Sequence, residues 1–197
     1  TEHALGQRQV EFQSPVLYVG APTGRDGLSR FKQENGAVLP SRGDRSACTL
    51  KISDPLLSNR IVSACCEAVE AGVVRELVSV GAGGLAVACF DLARRVNRPV
   101  LLDIDRIPLR GQGYEPLEII LSETTERVLM VVERQHHRTL NRILYKWDLE
   151  SLKVGEVNDA DGIEFYWNHY LAADIPFLFA LGGAVQKQFQ VVQFPPM

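Results

Sequence analysis

The feature that most restricts the fold is a change of hydrophobic period inside one stretch, "VRELVSVGAGGLAVACFDLARR", residues 74–95. Its first seven residues read as a strand. After the glycines Leu85, Ala88, Cys89 and Leu92 recur at the spacing of one helical face. A chain that switches from strand to helix within four residues must lay the helix back across the sheet that holds the strand. Glycines at the switch admit two readings, a tight turn that only glycine tolerates or a backbone cradle for an anion at a helix N-terminus.

The same alternation runs through the chain. "VLYVG" (16–20) reads as a strand ending in glycine, followed by a long loop over 22–46, and "ACTLKIS" reads as a second strand. Asp54 and Pro55 form an N-cap and first helical residue. Leu57, Ile61, Ala64, Cys65 and Ala68 then line one helical face, and Gly72 ends it. "PVLLDID" reads as a strand, "EPLEIIL" as a short helix and "ERVLMVVE" as another strand. Leu140, Ile143, Leu144 and Trp147 mark a further amphipathic helix, and strands are expected at 151–157 and 162–167 before an irregular tail. Strands interleaved with helices predict a layered α/β (α+β) sandwich built on a mixed sheet. With no repeat and no linker, residues 1–197 read as a single domain with a core over 14–176 and a tail over 177–197.

Composition narrows the function classes. Nearly half of the residues are apolar, enough for a sizeable core, and the net charge of −3 offers no electrostatic case for nucleic acid or an anionic membrane. No apolar run approaches the roughly 20 residues of a membrane span. Cys48, Cys65, Cys66 and Cys89 contain no C-x-x-C pair and read as buried free thiols of a cytoplasmic protein. His136 and His137 are adjacent and read as surface residues, since helical metal ligands need spacings of three or four.

Beside Gly81, Gly83 and Gly84, two other stretches could carry chemistry. "LSETTERV" (121–128) places Ser122, Glu123, Thr124 and Thr125 where a helix gives way to a strand, as ligand contacts or as a self-satisfied capped turn. "TGRDG" (23–27) sets Arg25 and Asp26 between glycines, suited to a phosphate or ribose and equally to a solvated turn.

Taken in order, "SPVLYVGAPTGRDG", "SDPLLSNRIVSACCEAVEAGVV", "GAGGL", "IPLRGQGYEPLEIILSETTERVLMVV" and "ADIP" resemble the phosphoribosylformylglycinamidine synthase family over about residues 14–176. The region resembled is the C-terminal domain of that enzyme's first half, of the aminoimidazole ribonucleotide synthetase C-terminal type. The resemblance implies a domain of an ATP-dependent amidotransferase of purine biosynthesis, a ligase that turns formylglycinamide ribonucleotide into an amidine. It implies ATP and Mg²⁺ in the whole enzyme, with neither held tightly by this chain alone. The ATP lysine and catalytic histidines are expected in a preceding domain, so no catalytic residue is assigned here. Partners implied are the remaining synthase domains, a glutaminase and small accessory subunits. The family's substrate-binding Glu-Ser-Gln falls on Glu123, Thr124 and Thr125, and its substrate-binding glutamine on Lys51. The resemblance also implies that Lys51 faces the ligand cleft, where it pairs with Glu123 or holds a phosphate. The family's magnesium aspartate falls on Ser79, a hydroxyl that is a poor replacement for a carboxylate on Mg²⁺. Lys51 and Ser79 favour a second reading, a non-catalytic descendant that serves as a structural or ligand-binding domain of a larger assembly.

Overall fold

The computed structural model describes residues 10–28 and 53–178. Lys51, Cys48 and most of the strand expected at 47–53 lie outside the described residues. The rest forms one seven-stranded sheet in the order β2-β4-β1-β5-β3-β6-β7. The strands are β1 (Pro15–Gly20), β2 (Val74–Val80), β3 (Val100–Asp103), β4 (Arg127–Val132), β5 (Ser151–Val157), β6 (Gly162–Trp167) and β7 (Tyr170–Pro176). The sheet is mixed, as expected: β3 and β6 run parallel, and the other neighbouring pairs are antiparallel.

Among the described residues four α-helices cover it: α1 (Pro55–Glu70), α2 (Gly84–Val96), α3 (Pro116–Leu121) and α4 (His137–Lys146). Alternation of side chains along each strand divides the core between the two faces. On one face, Val16, Tyr18, Val78, Val80, Leu129 and Val131 meet Leu85, Ala88, Cys89 and Leu92 of α2 and Ile119 and Ile120 of α3. On the other, Leu17, Val19, Met130 and Val132 meet Ile61, Ala64 and Ala68 of α1 and Leu140, Ile143 and Leu144 of α4. Strand β4 is therefore buried from end to end, which explains its unbroken apolar run. Each such Leu or Val side chain contributes about 1.5–3 kcal/mol relative to exposure.

Asp54 caps α1 as its sequence suggests, its carboxylate accepting from the amides of Leu56 and Leu57 at 3.0 and 3.1 Å. The stripe expected on α2 is the buried one, with Leu85, Cys89 and Leu92 fully enclosed. Two expectations need correction. The segment after residue 167 is not irregular: it turns through Asn168 and His169, at φ 49° and 66°, and returns as β7. A two-residue hairpin with both positions left-handed is a turn in which glycine and asparagine predominate. With histidine in the second place, the usual signal for the hairpin is missing.

The cysteines are free among the described residues, but they are not all buried. Cys89 is enclosed, Cys65 is half-buried and Cys66 is exposed. Burial first, and the neighbouring Cys66 second, push the Cys65 thiol up to about 11, and burial pushes Cys89 further still, so neither is a nucleophile at neutral pH.

Gly155 tests the close approach of β5 and β3, where it pairs with Leu102. A Cβ at Gly155 would lie inside the Leu101 carbonyl group, a backbone neighbour that cannot rotate away. Gly155→Ala is expected to cost about 1–3 kcal/mol in urea unfolding. A loss under about 0.5 kcal/mol, the scatter of neutral surface changes, would show that the two strands are not held this tightly.

Candidate functional site

The ends of three strands meet at one end of the sheet. Gly20 of β1 and Val80 of β2 both pair with Arg127, the first residue of β4. This register brings together the loop after β1 (Ala21–Leu28), the glycine turn after β2 (81–83) and the segment 122–126 between α3 and β4. All three motifs singled out in the sequence are in that cluster.

Glu123 is half-buried at their junction. Its amide donates to the carbonyl of Asp26 at 2.8 Å, and its Oε1 accepts from the amide of Gly83 at 3.2 Å. Gly27, at φ 81°, leaves room for the Glu123 side chain: a Cβ there would stand 2.6 Å from Glu123 Cγ. Gly84, at φ 64°, lets the start of α2 approach the main chain after α3, where a Cβ would come within 2.6 Å of the Ser122 carbonyl oxygen. Both glycines are therefore needed for close approach, not only for a turn.

The glycine turn is occupied from within. The Gly83 amide is taken by Glu123, and that of Gly84 donates to the carbonyl of Gly81 at 2.9 Å. A carboxylate thus stands at the N-terminus of α2, where the helix dipole stabilises negative charge.

Thr124 is fully buried, and its hydroxyl is engaged several times over. It accepts from the amide of Gly24 at 2.9 Å, lies 3.0 Å from the Ser122 hydroxyl and donates to Asp26 Oδ2. Thr125 is half-buried, and its hydroxyl donates to Glu126. Of the Glu123, Thr124 and Thr125 triplet, Thr124 ties the loops together and Glu123 faces the junction. Ser79, expected at a metal position, is exposed on β2, one residue before the buried Val80. Lys51 lies outside the described residues.

Arg25 and Asp26 diverge. Asp26 is 5% exposed and accepts from Arg110 Nη1 at 3.0 Å as well as from Thr124. Arg25 lies with its guanidinium carbon 4.0 Å from the centre of the Tyr114 ring. Its Nε donates to Glu118 at 3.3 Å and its Nη2 to the Gly113 carbonyl at 2.7 Å. Arg110, Tyr114, Glu118 and Arg127 were not visible as site residues from sequence. Their partners in the loop after β1 lie 84 to 104 positions away, beyond any local signal. His136 and His137, read as surface residues, are each half-buried, and His136 Nδ1 lies 3.6 Å from Glu133.

Glu126 closes the cluster against α1. At φ 56° it occupies a left-handed conformation that disfavours most side chains, and its carbonyl accepts from the amide of Ala21 at 2.8 Å. Its carboxylate accepts from the hydroxyls of Ser53 and Ser58 at 2.9 and 3.0 Å and from Thr125. Burial works to raise its pKa, but those three hydroxyls and the backbone at Asp54 outweigh it, and the carboxyl is held below the ordinary range.

Residues 15–168 match the family described as AIR synthase related protein, C-terminal domain. The chain is 37% identical over 166 residues to phosphoribosylformylglycinamidine synthase subunit PurL of Carboxydothermus hydrogenoformans, an alignment covering 83% of this chain and 22% of that protein. Among solved structures, T. maritima PurL complexed with FGAR aligns with 96% of this chain at a TM-score of 0.73 and 26% identity, and the chain covers 32% of it. T. maritima PurL complexed with ATP aligns at 0.72 and 25%, over 29% of its length. The chain therefore spans only about a fifth of its curated relative and under a third of these structures.

The depressed Glu126 carboxyl has a definite consequence for pH. A group whose folded pKa lies below its unfolded value adds stability above the unfolded pKa, about 4.3 for Glu, and loses it as pH falls through the folded one. Urea unfolding is expected to show full stability at neutral pH and a decline below about pH 4.3 that is shallower in Glu126→Gln. Equal acid slopes for the two proteins would mean that these hydroxyl bonds do not stabilise the ionised form.

Proposed function

The chain belongs to the AIR synthase related protein, C-terminal domain family, and from that we propose that it is one domain of a longer, ATP-dependent formylglycinamide ribonucleotide amidotransferase. In that reaction the terminal phosphoryl group of ATP passes to the formamide oxygen and ADP leaves. Ammonia released from glutamine then attacks the activated carbon, phosphate departs and an amidine remains. The role proposed for this chain is to hold the ribonucleotide with the loops around Glu123. The observation that carries the reading is the Glu123 carboxylate. It is half-buried where three loops meet and accepts from the Gly83 amide, while the backbone amide of Glu123 donates to the Asp26 carbonyl. It is the acid on which the substrate-binding triplet of the resembled synthases falls.

A carboxylate fixed in this way accepts hydrogen bonds from a ligand's hydroxyl or N–H groups without reorganising. Thr125 stands beside it, and Gly81 borders a turn where nothing lies within 4 Å of an added Cβ, leaving room on that side. Positioning of this sort is the main protein contribution to phosphoryl transfer.

The described residues of this chain offer no dedicated site for either cofactor of the whole reaction. Magnesium is usually held by one or two carboxylates together with waters and substrate phosphates. Ser79 offers a neutral hydroxyl, and the described residues contain no group of three His, Cys, Asp or Glu side chains placed to hold a metal. For a nucleotide, the amides of Gly83 and Gly84 are engaged by Glu123 and Gly81. The binding of ATP and Mg²⁺ is therefore proposed for the rest of the longer protein. Lys51 remains part of the proposal as the residue at the family's glutamine position. Other synthase domains, a glutaminase and accessory subunits are the proposed partners, in the cytoplasm. Among the described residues no helix is long and apolar enough to cross a membrane.

Ser79 also favours a second reading, a descendant that has kept the loops and lost the chemistry. The two separate in the longer protein. If the synthase reading holds, that protein forms the amidine from ATP, ammonia and formylglycinamide ribonucleotide, and this chain alone does not. Glu123→Gln is then expected to raise KM for the ribonucleotide about tenfold or more, the loss of one hydrogen bond to a charged group, with little change in thermal stability. An unchanged KM would remove Glu123 from the site. Ribonucleotide binding without turnover would favour the second reading.

A further inference from the structure

We propose that Arg127 is the positioning residue that sets the direction of the Glu123 carboxylate. Its side chain is 1% exposed, the largest of the fully buried side chains among the described residues, and lies directly beneath the loop cluster. Nη2 donates to the Ser122 carbonyl at 2.6 Å and Nε to the Thr124 carbonyl at 2.7 Å. Those two carbonyls stand on either side of Glu123. Nη1 reaches across to the Thr23 hydroxyl at 3.0 Å, joining the loop after β1 to the same fork.

The consequence is a backbone with no freedom left at Glu123. The peptide between Ser122 and Glu123 is held at its oxygen by Arg127 and at its nitrogen by the Asp26 carbonyl. The next peptide is held by the Thr124 amide donating to the Ser122 hydroxyl at 3.3 Å. The one after that is held by Arg127 again, at the Thr124 carbonyl. With three successive peptide planes pinned, the Cα–Cβ direction of Glu123 is fixed before any ligand arrives.

The chemistry of the guanidinium suits this task. Its planar fork presents donors at fixed separations, whereas a lysine ammonium is a point charge on a flexible stem. Its direct partners in the cluster are two carbonyls and a hydroxyl, not a carboxylate. An opposite charge stands at one remove in Asp26, which accepts from the Thr124 hydroxyl and is shared with Arg110. An arginine kept in the interior to bond neutral backbone oxygens contributes geometry more than ion-pair energy.

The proposal rests on Glu123 being the ligand-facing acid, and its test separates the two claims. Amide hydrogen exchange is measured by NMR on this chain and on Arg127→Lys, with Arg127→Gln as a second variant should the first fold poorly. The reporters are the Gly83 amide, bonded to Glu123, and the Gly24 amide, bonded to Thr124. The expected result is exchange at least tenfold faster at both reporters, with the β4 amides of Leu129 and Val131 changed less than twofold. Unchanged exchange at Gly83 would overturn the proposal. Uniform acceleration through β1 and β4 would also overturn it, because it would show a general packing role. In the full-length synthase, Arg127→Lys is expected to raise KM for formylglycinamide ribonucleotide, and the Glu123→Gln, Arg127→Lys double variant to be no worse than Glu123→Gln alone. A multiplicative loss would contradict the coupling. A silent Glu123→Gln would refute the ligand-facing role of Glu123, while the exchange data would still decide what Arg127 holds.

Discussion

The pairing of β4 with β1 on one side and β2 on the other is the constraint on which the site depends. Arg127 is the residue opposite Gly20 in one ladder and opposite Val80 in the other. A slip of one residue in either ladder would turn the buried faces outward, and it would also draw the loops apart. Because β2 alternates buried Val78 and Val80 with exposed Ser79, a slip of β2 against β4 would set Ser79 where an apolar side chain packs. The hydrophobic pattern of the strands thus determines where the polar loops meet.

Beneath those loops the protein keeps an unusual density of buried polar groups. Thr23, Asp26, Ser122, Thr124 and Arg127 are each 5% exposed or less. An unsatisfied group in such a place costs about 1–3 kcal/mol, so the network is tolerable only with its members paired. It extends to Tyr18, whose hydroxyl donates to the Ala21 carbonyl. Burial raises the Tyr18 pKa against the opposing pull of Arg127, so the phenol stays neutral at ordinary pH. Burial likewise pulls the Arg127 pKa down, and the Tyr18 and Asp26 oxygens oppose it. Rigidity at the junction comes from this enclosed network, while the half-buried Glu123 and Thr125 are left at its edge.

How far the sequence could be read depended on the range of the interactions involved. Period and caps are local, and they located α1, α2 and the strands from β1 to β6 closely. Strand β7 escaped because its hairpin uses Asn168 and His169, where the usual signal is a glycine. The three loops were legible as candidates through their glycines and hydroxyls, but not their grouping, which follows from sheet register. The division of labour inside "SETTER" was hidden for the same reason. Nothing local distinguishes Thr124, enclosed by Gly24 and Asp26, from Thr125, which bonds its own neighbour. Arg127 reads from sequence as the second residue of a strand, and only the fold shows its guanidinium turned beneath the loops.

The central claim is that the loops joined at Arg127 form the ribonucleotide site. Hydrogen exchange followed by mass spectrometry, on the longer protein that carries this chain, tests it most directly. Formylglycinamide ribonucleotide is predicted to slow exchange in peptides covering 21–28, 81–86 and 121–126, and to leave β6 and β7 unaffected. Saturating ribonucleotide with no protection in those three segments would contradict the account.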